Sequence, residues 1–232
     1  MRNVFALGLM FMVSLTAHAY VITPYTAEYK IYAHGIHVGD IHQDLKQHDD
    51  IYVLSNSAQS TGVAALIKDR RVDERSSFHF NDEVIVPLSY SYKESDRDKR
   101  NVSLDFNWPA KELASNKQKK LFTLPDGVEI FDKLSYQVAL MRDLSMGLTK
   151  FTYTAHDGKG YRDYELLVIE DEVLSVHGKK LNTKKVRLKR ENSSRETTLW
   201  LAPEMDYIPV KLTHTERKGR VLTATLSNYK LK

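Results

Sequence analysis

The 232-residue chain contains no cysteine, which excludes disulfides, thiolate nucleophiles and Cys-ligated metals together and leaves a buried core as the source of stability. Its 10 glycines and 6 prolines nowhere gather with serine into a linker, so residues 20–232 read as a single domain. The motifs of the commonest enzymes are missing too. There is no Gly-x-Ser-x-Gly, no Gly-rich phosphate loop ending in Lys-Ser/Thr, no His-Glu-x-x-His and no Gly-x-Gly-x-x-Gly after a strand. Those absences weigh against the usual hydrolase, kinase and dehydrogenase chemistries. Long apolar runs are absent as well, with one exception at the start of the chain.

That exception, Val4 to Leu15, follows Arg2 and precedes Ala17-His18-Ala19, the small residues that a signal peptidase reads. Residues 1–19 are therefore expected to be an export signal cleaved after Ala19. The run is too short and too soon interrupted to span a bilayer, and without a cysteine at the cut no lipid can be attached. The expected mature protein, from Tyr20, is soluble and periplasmic, with no transmembrane segment. Losing Arg2 lowers the formal charge from +4 to +3. Lys, Arg, Asp and Glu alternate along most of the chain, so nucleic acid is not an expected partner.

Alternation of apolar and polar residues fills the mature chain and predicts strands buried on one face. Tyr25, Ala27, Tyr29 and Ile31 share a face, as do Val84, Val86, Leu88, Tyr90 and Tyr92. Val102, Leu104, Phe106 and Trp108 alternate with Ser103, Asp105 and Asn107, which should face water. Further strands are expected within 151–155, 164–169, 173–176, 186–188, 197–201, 208–212 and 221–229. Turn signals at Asp157-Gly158, His177-Gly178 and Lys218-Gly219 imply an antiparallel meander. The mixed charges of Lys93 to Arg100 read as a solvated hairpin tip.

Two segments break the period of two. Leu134, Val138, Met141, Leu144 and Leu148 recur at helical spacing, predicting an amphipathic helix over about 132–148, capped by Asp132 or Ser135 and ended by Gly147. Val63 to Ile67 is a second, shorter candidate. The expected fold is mainly β: a large curled antiparallel sheet, half-barrel or barrel-like, covered by one helix.

Few residues suggest chemistry. His34, His37, His42 and His48 lie within fifteen positions, but their spacing sends them to different strand faces and no carboxylate completes a ligand set, so no metal and no cofactor is expected. Asp96 with Asp98, and Glu170 to Glu172, sit in expected turns where nothing would raise a carboxyl pKa, so no catalytic residue is assigned. Lys185, Arg187 and Lys189 form a positive stripe opposite Val186 and Leu188, suited to anionic headgroups or to guarding a strand edge. Trp200 reads as a core aromatic, with Pro203 and Pro209 as turn or edge markers.

The richest resource is aromatic: 13 Tyr, 8 Phe and 2 Trp. A large antiparallel sheet with one covering helix has more apolar inner face than that helix can bury, so it must close, fold on itself or hold something. The expected ligand-binding residues on the concave face are Tyr29, Tyr90, Tyr92, Leu104, Phe106, Trp108 and Tyr153.

Several short stretches, in order, resemble a family of exported bacterial proteins known as a domain of unknown function, DUF3108. They are Tyr25-Thr26-Ala27-Glu28-Tyr29, Gly35-Ile36-His37-Val38-Gly39, Thr61-Gly62, Pro87 to Tyr92, Asp132-Lys133-Leu134-Ser135, Leu199-Trp200-Leu201-Ala202 and Tyr207-Ile208-Pro209-Val210. The resemblance implies an exported β-rich domain with no established activity, so no functional residue is carried over. The expected architecture is also loosely similar to the open half-barrels of the lipoprotein carriers LolA and LolB. The leading expectation is a non-enzymatic protein that binds a lipid or other apolar cell-envelope component. The alternatives are an envelope scaffold or assembly factor with a protein partner, acting through a sheet edge or the basic stripe, and an unrecognised hydrolase.

Overall fold

The computed structural model describes residues 20–232 apart from 68, 82, 191–192 and 217–218, with backbone only for Val63 and Ile67. The expected export signal and Lys218 of one expected turn lie outside the described residues. Fifteen strands form one sheet. The first arm comprises β1 (Tyr25–Ala33), β2 (Ile36–His48), β3 (Ile51–Ser60), β4 (Arg71–Asn81), β5 (Val84–Glu94), β6 (Val102–Asn107), β7 (Glu112–Ser115) and β8 (Phe122–Thr123). The second comprises β9 (Ile130–Phe131), β10 (Lys150–His156), β11 (Tyr161–Val176), β12 (Lys179–Arg190), β13 (Glu196–Ala202), β14 (Ile208–Thr215) and β15 (Val221–Leu231). Helix α1 (Gly62–Ile67) follows β3, and α2 (Ser135–Ser145) follows β9.

The order is β8-β7-β6-β5-β4-β3-β2-β1-β15-β14-β13-β12-β11-β10-β9. Every pairing is antiparallel except β9 with β10. The chain thus starts mid-sheet, meanders out to one end, crosses to the other and returns to pair β15 with β1. Bulges beside Tyr29, Ile31, Phe78, Val168 and Leu201 add local twist. The sheet curls until its two ends meet, although no backbone ladder closes it. Ser115 Oγ donates to Gly158 O at 2.7 Å, Tyr161 Oη donates to Thr123 O at 2.6 Å, and the Phe122 ring lies 4.3 Å edge-on from His156. Gly158 is required at this seam. Its φ is +93°, and a Cβ there would stand 2.7 Å from Val102 Cγ1.

Helix α2 lies where periodicity expected it, and both cap candidates act. Asp132 Oδ1 accepts the Leu134 and Ser135 N–H groups at 2.8 and 2.9 Å, while Ser135 Oγ accepts the Asp132 N–H at 3.0 Å. The helix ends at Gly147, whose φ is +80° and whose N–H reaches Leu144 O at 3.0 Å. The crossover carries α2 into the sheet's concavity. There not only Val138, Ala139, Leu140, Met141 and Leu144 are buried but also Arg142 and Asp143.

Arg142 forks onto Glu129 at 2.8 and 2.9 Å, donates to Glu83 O at 2.6 Å and reaches Asp143 Oδ1 at 2.6 Å; Asp143 Oδ2 accepts the Tyr153 hydroxyl at 2.8 Å. Burial alone would lower the Arg142 pKa, but the two carboxylates outweigh it and hold the guanidinium charged. A buried charge with every partner in place ties α2 to the β4–β5 turn and β10.

Two alternation readings are corrected. Val84, Val86 and Leu88 do not share a face with Tyr90, because Leu88 is the extra residue of a bulge between Phe78↔Pro87 and Ser77↔Ser89. Ile85 and Pro87 turn inward in their place. Strands β2, β3 and β4 lay in a region without expected strands, because polar residues such as Gln43, Asn56 and Glu74 occupy their inner positions.

Candidate ligand-binding cavity

Between α2 and the middle of the sheet lies a cavity of about 150 Å³. Leu140 and Met141 of α2 form one wall, and Leu188, Leu199, Leu201 and Leu212 form the opposite one. The first arm adds Tyr25, Tyr29, Ile41, Gln43 and Asn56. Its polar groups are of two kinds. Tyr25 Oη donates to Gln43 Oε1 at 2.8 Å, and Gln43 Nε2 reaches Gln137 Oε1 of α2 at 3.4 Å. Tyr29, only 7 % exposed, has a hydroxyl with no partner, and Asn56 Oδ1 has none either. Burial holds the Tyr29 phenol protonated, and neighbouring Tyr229 adds to the shift. An orphaned buried hydroxyl costs about 1–3 kcal/mol, so in a stable fold it marks a place where a partner belongs.

Next to the cavity lies a recess of about 530 Å³ that spans both arms of the sheet. Tyr136, Gln137, Leu188 and Thr197 line both spaces. The recess adds Glu74 and Tyr92 from the first arm, Lys133 beside α2, and Tyr164, Arg190, Arg195 and His214 from the second. Glu74 accepts the Tyr90 hydroxyl. Its pKa is raised by burial and by Asp132, against the pull of Tyr90 and Lys133. Asp132 is raised by burial in spite of bonds from Ser76, Ser135 and Leu134. His214 is lowered by burial and by Arg195, and its Nδ1 shares a 2.8 Å bond with Thr197 Oγ1.

Of the residues singled out from sequence, Tyr29 lines the cavity and Tyr92 the recess. Tyr90 lies behind the recess on Glu74. Leu104 is wholly buried, Phe106 and Trp108 pack 6.2 Å apart, and Trp108 Nε1 donates to Pro87 O at 2.6 Å. Tyr153 is held by Asp143 and stacks on Tyr136. These last four do not reach the cavity, because the curled sheet fills its interior with side chains at that end. Gln43, Asn56 and Glu74 were missed. Their signal was polar residues at every second position of strands too polar to be read as strands.

The histidines spread along the β1–β2 hairpin: His34 is in the turn, His37 bonds Asp40 at 2.8 Å, and His42 stands 4.0 Å from Glu28. Two of the three residues of the basic stripe are ion-paired, Lys185 with Glu170 and Glu172 and Lys189 with Glu196, while Arg187 has no ion-pair partner among the described residues. Trp200 is buried beneath Lys185 and Lys211, with its indole N–H on Glu172 at 2.8 Å, facing away from Leu199 and Leu201. Glu94, within the segment read as a solvated tip, is 3 % exposed and ringed by Arg70, Arg97 and Arg100.

A family model described as a protein of unknown function, DUF3108, matches residues 25–227. The chain belongs to this family. The DUF3108 fold is similar to the crystal structure of a beta-barrel-like protein of the domain of unknown function DUF1849 from Brucella abortus. The TM-score is 0.61 at 11 % identity, over 90 % of this chain and 98 % of that one. No curated protein matches the sequence. Among the described residues no helix is long and apolar enough to cross a membrane.

Proposed function

We propose that this DUF3108 protein is an exported, periplasmic, non-enzymatic protein that binds a lipid or other apolar envelope component in the cavity between α2 and the sheet. The observation that carries the reading is the cavity itself: a mostly aliphatic space beside a buried Tyr29 hydroxyl that lacks a partner. An apolar ligand with one polar group satisfies both features. The buried carboxylates are engaged structurally, Asp132 in capping α2 and Asp143 in holding Arg142, which supports binding over catalysis. The features that suggested a scaffold are weaker: the sheet ends in two-residue strands, and Lys185 and Lys189 of the basic stripe are ion-paired.

The test is native mass spectrometry of protein isolated from the periplasm without detergent, followed by organic extraction and N-terminal sequencing. An apolar molecule at defined stoichiometry, on a chain beginning at Tyr20, is the expected result. A bare chain that takes up no added lipid overturns the binding reading, and a chain retaining residues 1–19 overturns the export reading.

A further inference from the structure

We propose that the ligand is a single-chain amphiphile with an anionic head, a carboxylate or a phosphate monoester. Its chain enters the apolar cavity while its head stays in the recess among Lys133, Arg190 and Arg195. The inference rests on the cavity reading above and adds the charge of the head and the number of chains.

Three observations lead to it. The first is adjacency, because four residues line both the apolar cavity and the charged recess, which puts the two within reach of one molecule. The second is unpaired charge. Along β12, Lys184, Lys185 and Lys189 each meet a carboxylate, whereas Arg187 on the outer face and Arg190 on the inner face have no ion-pair partner among the described residues. Arg195 and Lys133 have none either. Arg190 stands opposite Tyr164 across the β11–β12 ladder, and Lys133 sits 5.9 Å over the Tyr92 ring. Glu74, engaged by Tyr90, lines the same recess and interacts with Lys133, and Glu216, paired with Arg220 at 2.7 Å, interacts with Arg195. Among the described residues the recess thus sets three cations, Lys133, Arg190 and Arg195, against one lining carboxylate, Glu74. Guanidinium forks match the paired oxygens of a carboxylate or phosphate.

The third observation is size. About 150 Å³ is the volume in which an engineered apolar cavity holds benzene, enough for the leading part of one chain and not for the two chains of a diacyl lipid.

The experiment is calorimetric titration of the mature protein, stripped of co-purified lipid, with dodecanoate, dodecyl phosphate, dodecanol and acetate. Dodecanoate and dodecyl phosphate are expected to bind at least about tenfold tighter than dodecanol, a preference that shrinks as salt is added. Arg190→Gln with Arg195→Gln should bring that ratio to about one while dodecanol affinity holds, which also reports an intact fold. Lys133→Gln, on a different element, should weaken dodecanoate several-fold by itself. Equal binding of dodecanol and dodecanoate by the unaltered protein, or a preference insensitive to salt, overturns the head-group inference and leaves the cavity reading standing. Acetate binding as tightly as dodecanoate assigns the recess to a free anion and overturns the inference too. Failure of both dodecanol and dodecanoate to bind overturns the cavity reading itself.

Discussion

Replacing Tyr29 by phenylalanine removes one oxygen, and the structure makes its effect opposite in the empty and the filled protein. The hydroxyl is buried and has no protein partner. Leaving such a group unsatisfied costs about 1–3 kcal/mol, so in the lipid-free protein the variant should be more stable by about 1 kcal/mol, the lower end applying because the cavity opens toward solvent. In a complex with dodecanol, whose neutral hydroxyl is free to enter the cavity, the same oxygen finds a partner, and losing one net hydrogen bond of about 1 kcal/mol weakens binding about fivefold.

Urea denaturation read by linear extrapolation measures the first effect, and titration with dodecanol the second. Bound ligand at about 100 times Kd adds about 2.7 kcal/mol of stability, so the variant's advantage should vanish in saturating ligand. A lipid-free variant less stable than the unaltered protein by more than about 1 kcal/mol would show that the hydroxyl already has a partner. That result refutes the argument, as does unchanged affinity.

Three further outcomes follow from the same geometry. Asp132→Ala should cost about 2 kcal/mol by removing the α2 cap and the Ser76 partner. Asp132→Asn keeps an acceptor and removes an ionisation that burial makes costly at neutral pH: the raised Asp132 pKa means that the stability from its protonated form is full below 3.8 and lost as pH rises through the folded value. Denaturation across pH should therefore find Asn as stable as Asp or more so at neutral pH, and an Asn variant as damaged as Ala would refute this. His156, buried at the seam with its pKa lowered from 6.5 by burial, must stay neutral in the fold, so stability should fall as pH drops through 6.5 toward the folded value. His156→Asn should flatten that slope. Gly158→Ala should cost about 2–4 kcal/mol from its left-handed φ and from the Val102 clash. Adding Val102→Ala should recover the clash component alone, as a double-mutant cycle in urea would resolve.

How much of this was legible in the sequence depended on where water stands relative to each strand. In β1 and β6 one face is core and the other is wet, so Tyr25, Ala27 and Tyr29, or Leu104 and Phe106, alternate plainly with polar neighbours. The helix was legible for a related reason: its apolar residues recur every three or four positions, and Asp132, Ser135 and Gly147 mark its ends. Strands β2 to β4 obey the same period, but Gln43, Asn56 and Glu74 point inward toward the cavity and its recess. A binding site needs polar groups inside, which erases the contrast that alternation depends on.

By itself, then, the sequence determined a β-rich fold without disulfides, an antiparallel meander broken by one amphipathic helix, and much of the core. All of these rest on local periodicity and composition, which need no knowledge of what lies across the sheet. Only the tertiary structure decided that the sheet's ends meet at Gly158, that α2 enters the concavity with Arg142 and Asp143, and that Leu188, Leu199 and Tyr29 surround one space. It also decided that Lys185 and Lys189 of the outer stripe are ion-paired while, among the described residues, Arg190 and Arg195 are not. Each of these is a contact between residues far apart in the chain, set by the curl of the sheet and the path of the crossover, and no local pattern encodes a distance across a barrel.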